Sequence, residues 1–260
     1  MKLSYDGSGF SGFAENVGVT TVAGEIRSRL ERVYRQPLPL TCSGRTDAGV
    51  HAREQYVHFD VAAALVEPER LRRSLNSFLA PDIVIEEVRV VDPNFSARYT
   101  PLWRQYRYLV LNQELPDPFQ AQTSWWVHDQ LDRAAMDIAT RKFVGAHDFS
   151  TFCRRPRSKP DASLTRTILD ARWSDRIDPH GAPDLLQFEI TASAFCHQMV
   201  RAIVGFLVDV GRGRFSCEDV EVILGSGDRS RVGNLAPPHG LCLWQVGFEP
   251  YEQNRGATER

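Results

Sequence analysis

The order of hydrophobic patterns along the chain is its strongest constraint on fold. Residues 3–5 are β-rich and end at the turn signal Asp6-Gly7. Val22, Ile26, Leu30 and Val33 then recur at helical spacing, which predicts an amphipathic helix over residues 22–35. Residues 55–61 are aromatic and β-branched, a strand. Pro68 opens a second helix, with Leu71, Leu75, Phe78 and Leu79 as its apolar face. Residues 83–91 predict the next strand. The series then returns in looser form. Strands are predicted at 105–112, 164–175, 186–193 and 241–248, with helices at 131–143 and 198–210. Ser216 and Asp219 form an N-cap pair for a short helix that ends at Gly225. Each half therefore reads strand, helix, strands, helix, strand. That is the order of a split βαβ, ferredoxin-like unit with an antiparallel sheet. The break falls near residues 97–103, at Pro101, giving halves of 1–100 and 101–260 in an α+β fold. No residue-level repeat accompanies this repetition of pattern.

A chain of 260 residues with 42% hydrophobic content can bury a sizeable core. Its net charge of −2 excludes a polycation, so any nucleic-acid binding must come from local basic patches. Cys42, Cys153, Cys196, Cys217 and Cys242 are odd in number and never spaced C-x-x-C. That pattern predicts neither a disulfide framework nor a zinc site and fits a reducing compartment. The N-terminus lacks a signal-peptide apolar region, and no apolar run approaches a membrane span. The expectation is a cytoplasmic protein.

Five segments can carry chemistry. In SGRTDAGVHA (residues 43–52), two glycines flank Arg45, Thr46 and Asp47. Such a loop displays its central side chains. A positive charge near Asp47 favours its charged form, as nucleophilic or general-base work requires. On residue types alone, a polar turn with an incidental surface ion pair is the better explanation of the segment. YDGSGFSGF (residues 5–13) is a glycine-rich turn without a P-loop or dinucleotide pattern. FSARYTPLWRQYRY (residues 95–108) interleaves Arg98, Arg104 and Arg107 with aromatic rings, a combination suited to phosphates and splayed bases. In a strand, Tyr106 and Tyr108 share one face and Arg107 takes the other. HDFSTFCRRPRSK (residues 147–159) offers Arg154, Arg155, Arg157 and Lys159 as a basic loop. AFCHQMVRAIVG (residues 194–205) carries Arg201 in an apolar helical run, where an arginine needs a partner. The partner is either a local carboxylate or Asp47. His197 reads as a packed or hydrogen-bonded histidine, since one neighbouring cysteine does not make a metal site.

Together these segments resemble the tRNA pseudouridine synthase A family, in family order and over nearly the whole chain. LNSFLAPDI (residues 75–83), AHDFSTF (146–152) and PPHGLCLWQVGF (237–248) join the resemblance. Three departures stand out: Phe13-Ala14 replaces a usual Trp-Gln, Ala202 replaces a usual Asn, and the segment before Tyr5 is short. The resemblance implies two αβ halves sharing one continuous, mostly antiparallel sheet, with helices on one face and the active site in the cleft between halves. It implies a homodimer that binds tRNA and needs no metal or organic cofactor. It implies isomerisation of uridine to pseudouridine in the anticodon stem-loop, at positions thirty-eight to forty. Asp47 falls on the nucleophile, Tyr106 on the tyrosine stacking against the target uracil, and Arg201 on the partner of the aspartate. Arg45 falls on the loop arginine of base flipping. Attack of Asp47 on the sugar or on the uracil ring both satisfy this scheme. Two other readings compete. A non-catalytic RNA-binding protein would be expected to lack the acid at Asp47, and a glycoside hydrolase usually needs a second opposed acid.

Overall fold

Alternation along the strands sets the architecture. In a computed structural model describing residues 1–155, 159–176 and 185–252, Tyr106, Tyr108 and Val110 of one strand point into a single core. Phe188, Ile190 and Ala192 of the neighbouring strand join them there. The intervening residues face the other way. In chain order the elements are β1 (Lys2–Tyr5), α1 (Val22–Tyr34), β2 (Thr41–Cys42), β3 (His51–His58), α2 (Pro68–Leu79) and β4 (Ile83–Glu87). There follow β5 (Trp103–Asn112), β6 (Trp125–Val127), α3 (Arg133–Arg141), β7 (Gly145–Asp148), β8 (Thr165–Arg176) and β9 (Leu185–Ala192). The last three are α4 (Met199–Gly211), α5 (Asp219–Ser226) and β10 (Leu241–Gly247).

The main sheet runs β4-β1-β3-β10-β5-β9-β8-β7, with β2 on β3 and β6 on β5. Pairing is antiparallel except β10 with β3 and β6 with β5. The seam is made by the final strand. Cys242 and Leu243 pair with His51 and Ala52, while the other edge of β10 runs antiparallel along β5 from Trp103 to Tyr108. The sequence break near residue 100 thus divides the chain without dividing the sheet.

The sheet's polar face is held by cross-strand charge. Glu189 lies opposite Arg107 on β5 and Arg172 on β8. Its carboxylate contacts both guanidiniums, Arg107 Nε at 2.7 Å. Glu189 is buried, so the two cations offset its desolvation. The Trp244 ring covers Arg107 at 4.0 Å, a cation–π contact.

On the apolar face, α1 starts at Thr21, whose hydroxyl accepts from Gly24 N–H at 3.3 Å. Its buried stripe is Val22, Ile26 and Leu30, continued by half-buried Tyr34. That of α2 is Leu71, Leu75 and Leu79. Both stripes advance in steps of four, so Val33 and Phe78 fall outside them. Val33 is exposed, and Phe78, 63% exposed, lies beneath Arg29 instead of in the core. Phe13 is buried against Tyr5, ring centroids 6.1 Å apart, and Ala202 is buried within α4. The short strands β2, β6 and β7 have no clear pattern of their own; pairing with long neighbours makes them strands. No helix among the described residues is long and apolar enough to cross a membrane.

Helix α4 is buried almost all round. Gly205 lets another segment cross it: a Cβ there would stand 2.0 Å from the Asn234 carbonyl oxygen. Gly205→Ala must displace that backbone. It should lower stability by about 1–3 kcal/mol, read as a reduced urea midpoint with unchanged m-value.

Candidate active site

The loop between β2 and β3 is shaped by groups buried beneath it. Gln55, fully buried on β3, accepts from Ser43 and Gly44 N–H at 3.2 Å each and donates to the Gly44 carbonyl. The Tyr5 and Thr46 hydroxyls meet at 2.8 Å, and Phe13 N–H donates to the Thr46 carbonyl at 3.1 Å. Gly49 N–H reaches the Phe10 carbonyl at 3.3 Å. At Gly7 a Cβ would stand 2.1 Å from the Val50 carbonyl oxygen, so only glycine allows this approach. The glycine-rich N-terminal turn is thus a backbone cradle for residues 46–50.

Held this way, Asp47 extends a half-buried carboxylate toward α4. Its Oδ2 accepts from Arg201 Nη1 at 2.8 Å. The anticipated Asp47–Arg201 contact is therefore present, across 154 residues of sequence. Arg201 is itself fixed, its Nε donating to the Ala236 carbonyl at 2.8 Å. The second carboxylate oxygen, Oδ1, lies 3.2 Å from His197 Nε2. Tyr106, buried on β5, packs edge-on against Phe195 at 5.0 Å between ring centroids. A Cβ on Gly44 would stand 3.5 Å from the Tyr106 hydroxyl. Burial first, then the Asp47 carboxylate, pushes the Tyr106 phenol above its usual range. The ring therefore stays neutral. Arg45 is exposed on the loop. An oriented carboxylate beside an aromatic ring can attack an electrophilic carbon or take a proton.

Comparison with known proteins matches the chain to a family. A family model described as tRNA pseudouridine synthase matches residues 2–100 and 139–249. The chain is 35% identical to tRNA pseudouridine synthase A of Bacillus subtilis over 249 residues, 95% of this chain and 97% of that protein. It is 38% identical to the protein of that name from Geobacillus sp. over 248 residues, covering 95% and 96%. The Cutibacterium acnes protein is 38% identical over 251 residues, covering 95% and 88%.

The chain belongs to the tRNA pseudouridine synthase family. Like its family it is an isomerase, and the residues around Asp47 can be read with that chemistry in mind. His197 is 47% exposed and faces the synthase carboxylate, so it is neither packed in the core nor remote from the site. Its position four residues before Arg201 was the available signal. Arg229, whose Nη2 donates to Gln198 Oε1 at 2.6 Å, also belongs here and had no signal in sequence.

The cysteines need a correction. Cys153 and Cys196 are joined as a disulfide, with Cα atoms 5.8 Å apart, while Cys42, Cys217 and Cys242 are free. Sequence spacing could not anticipate this, because the fold brings together loops 43 residues apart. The bond lies directly beside Arg154 and His197, and Arg154 N–H donates to the His197 carbonyl at 2.9 Å.

The basic candidates divide. Arg154 and Lys159 are exposed. Arg155 is exposed but donates to the Pro160 and Ala162 carbonyls at 2.7 and 3.0 Å. Arg157 lies outside the described residues. Arg104 is corrected from a phosphate contact to a structural clamp. Only 9% exposed, it donates to the carbonyls of Ser43, Pro101, Ser193 and Arg98 at 3.2, 3.0, 3.1 and 2.7 Å. It faces the same side of β5 as Tyr106, where the loops of both halves meet. Arg104→Met should cost roughly 3 kcal/mol of stability in urea unfolding, since four carbonyls lose a charged donor. The salt dependence of tRNA binding should keep its slope; a flatter slope would make Arg104 a phosphate ligand after all.

Proposed function

We propose that this protein converts uridine to pseudouridine in the anticodon stem-loop of tRNA, at one or more of positions thirty-eight to forty, with Asp47 as nucleophile. The observation that carries the reading is the Asp47 carboxylate, held by Arg201 on one oxygen and His197 on the other, with Tyr106 close by. Family membership supplies the substrate class.

A uridine inside a stacked stem-loop is out of reach of a side chain. It must be extruded, at a cost of about a few kcal/mol. Arg45, exposed on the loop, fills the space left behind, and the Tyr106 ring covers the extruded uracil. Asp47 attacks the nucleoside and the N1–C1′ bond breaks. The detached uracil turns, C5 bonds to C1′ in place of N1, and the bond to Asp47 breaks, returning the free carboxylate. C5 loses its proton and N1 gains one, so the product is an isomer. Arg201 keeps the carboxylate aimed throughout and offsets its charge when the nucleophile is free. No electrons are exchanged with a partner, so the scheme calls for neither metal nor organic cofactor. Resemblance to the synthase A proteins supports a homodimer acting in the cytoplasm.

Asp47→Asn keeps the shape of the side chain and removes its nucleophilic charge. It should bind tRNA nearly as well as the parent protein while releasing no tritium from C5-labelled uridine. Normal release by this variant would sink the assignment. Tyr106→Phe keeps the ring and should hold tRNA more tightly than Tyr106→Leu in a filter-binding titration. Equal affinities would remove stacking from the scheme.

A further inference from the structure

The cleft gathers more positive charge than one aspartate balances. Asp47 already meets Arg201 and His197. Arg229, at the start of the turn Arg229–Val232, reaches the same region from a third segment. Its Nη2 donates to Oε1 of Gln198, the residue between His197 and the first turn of α4. Its Nη1 is closed off from solvent and has no hydrogen-bond partner among the described residues. Arg154 is tied to the same segment, its backbone bonded to His197 while its side chain stays exposed. Burial, then the like charges of Arg154 and Arg201, pull the Arg229 guanidinium below its usual range; Asp47 opposes this. Arg201 pairs with Asp47, and Arg229 feels the like charges of Arg154 and Arg201 with only Asp47 opposing, a surplus of positive charge that suits an anion. With Nη1 closed off, the Nε–Nη2 edge is the part of this guanidinium left to meet a phosphate, and such an edge matches two of its oxygens. A uridine presented to Asp47 carries a phosphodiester on each side, one nucleotide's reach from that carboxylate.

We propose that Arg229, aimed by Gln198 and backed by Arg154, is the seat for an RNA phosphodiester adjoining the target uridine. The inference rests on the reading of Asp47 as the group that meets that uridine. The grip offsets the cost of extrusion and fixes the nucleotide's register against Asp47. Arg229 is thus a binding residue for the strand that carries the reacting base.

The test compares full-length protein with Arg229→Gln and Arg229→Lys, using unmodified tRNA. Dissociation constants are measured across a series of potassium chloride concentrations, and turnover by tritium release. Arg229→Gln should raise KM roughly tenfold or more. It should also flatten the plot of log affinity against log salt by about 0.7–0.9, the loss of one phosphate contact. Arg229→Lys keeps the charge without the fork, so its slope should match the parent and its KM should lie between the two. An anticodon stem-loop bearing an uncharged methylphosphonate on either side of the target uridine should bind the parent protein less well at one of the two positions. At that position Arg229→Gln should show no further penalty. An unchanged salt slope and KM in Arg229→Gln would overturn the proposal, as would equal methylphosphonate penalties in parent and variant. If Arg229→Gln does not fold, the parent protein decides: no loss of affinity for a methylphosphonate on either side of the target uridine overturns the proposal. Failure of the parent protein to release tritium would instead count against the Asp47 reading.

Discussion

The ion pair between Asp47 and Arg201 is the contact on which the rest of the site depends. One partner sits on a loop between β2 and β3, the other on α4, far along the chain. Neither side chain could be left half-buried alone, because an unpaired charge there is costly. Each is restrained from behind: Asp47 by the Gln55 and Tyr5 hydrogen bonds beneath its loop, Arg201 by the Ala236 carbonyl. The pair therefore has little freedom to relax, and its direction is fixed before any substrate arrives. Preorganised charge of this kind is what an active site contributes to a reaction.

Two faces of one sheet perform different tasks. The apolar face carries the helices and, where their cover parts, the cleft with Tyr106 as part of its floor. The polar face is laced by Arg107, Glu189 and Arg172, with Trp244 over the first of these. Arg104 and Arg107 are three residues apart on β5 yet belong to opposite faces. One ties four carbonyls of three segments together near the Asp47 loop; the other is part of the far lattice of charge. A basic residue in an aromatic strand is thus no guide to phosphate binding until its face is known.

Much of the fold was legible in the chain. Among the described residues, the long strands and α1 to α4 follow from periodicities of two and of about 3.6, α5 follows from its Ser216–Asp219 cap pair, and the predicted limits fall within a few residues of the observed ones. What escaped was set by distant neighbours. β2, β6 and β7 are too short to show a period. Val33 and Phe78 satisfied helical spacing but lay off stripes that advance by fours. At the site, Asp47, Tyr106 and Arg201 stood in motifs that resembled a family. His197 was read as packed or hydrogen-bonded; it meets the Asp47 carboxylate, a partner that nothing in its own segment revealed. Arg229 and the Cys153–Cys196 bond were invisible, since both arise from loops brought together only by the completed fold.

The placement of β10 has a temporal consequence. Residues 241–247 lie at the centre of the sheet, between β3 and β5, although they follow both of those strands in chain order. On the ribosome, the earlier strands must wait with two unpaired edges exposed until this segment leaves the exit tunnel. A nascent chain stopped short of it would have its carboxylate loop and its arginine helix on separate, unjoined pieces of sheet. The site is therefore complete only once β10 is in place, and a chain cut short before residue 241 has no partially working form.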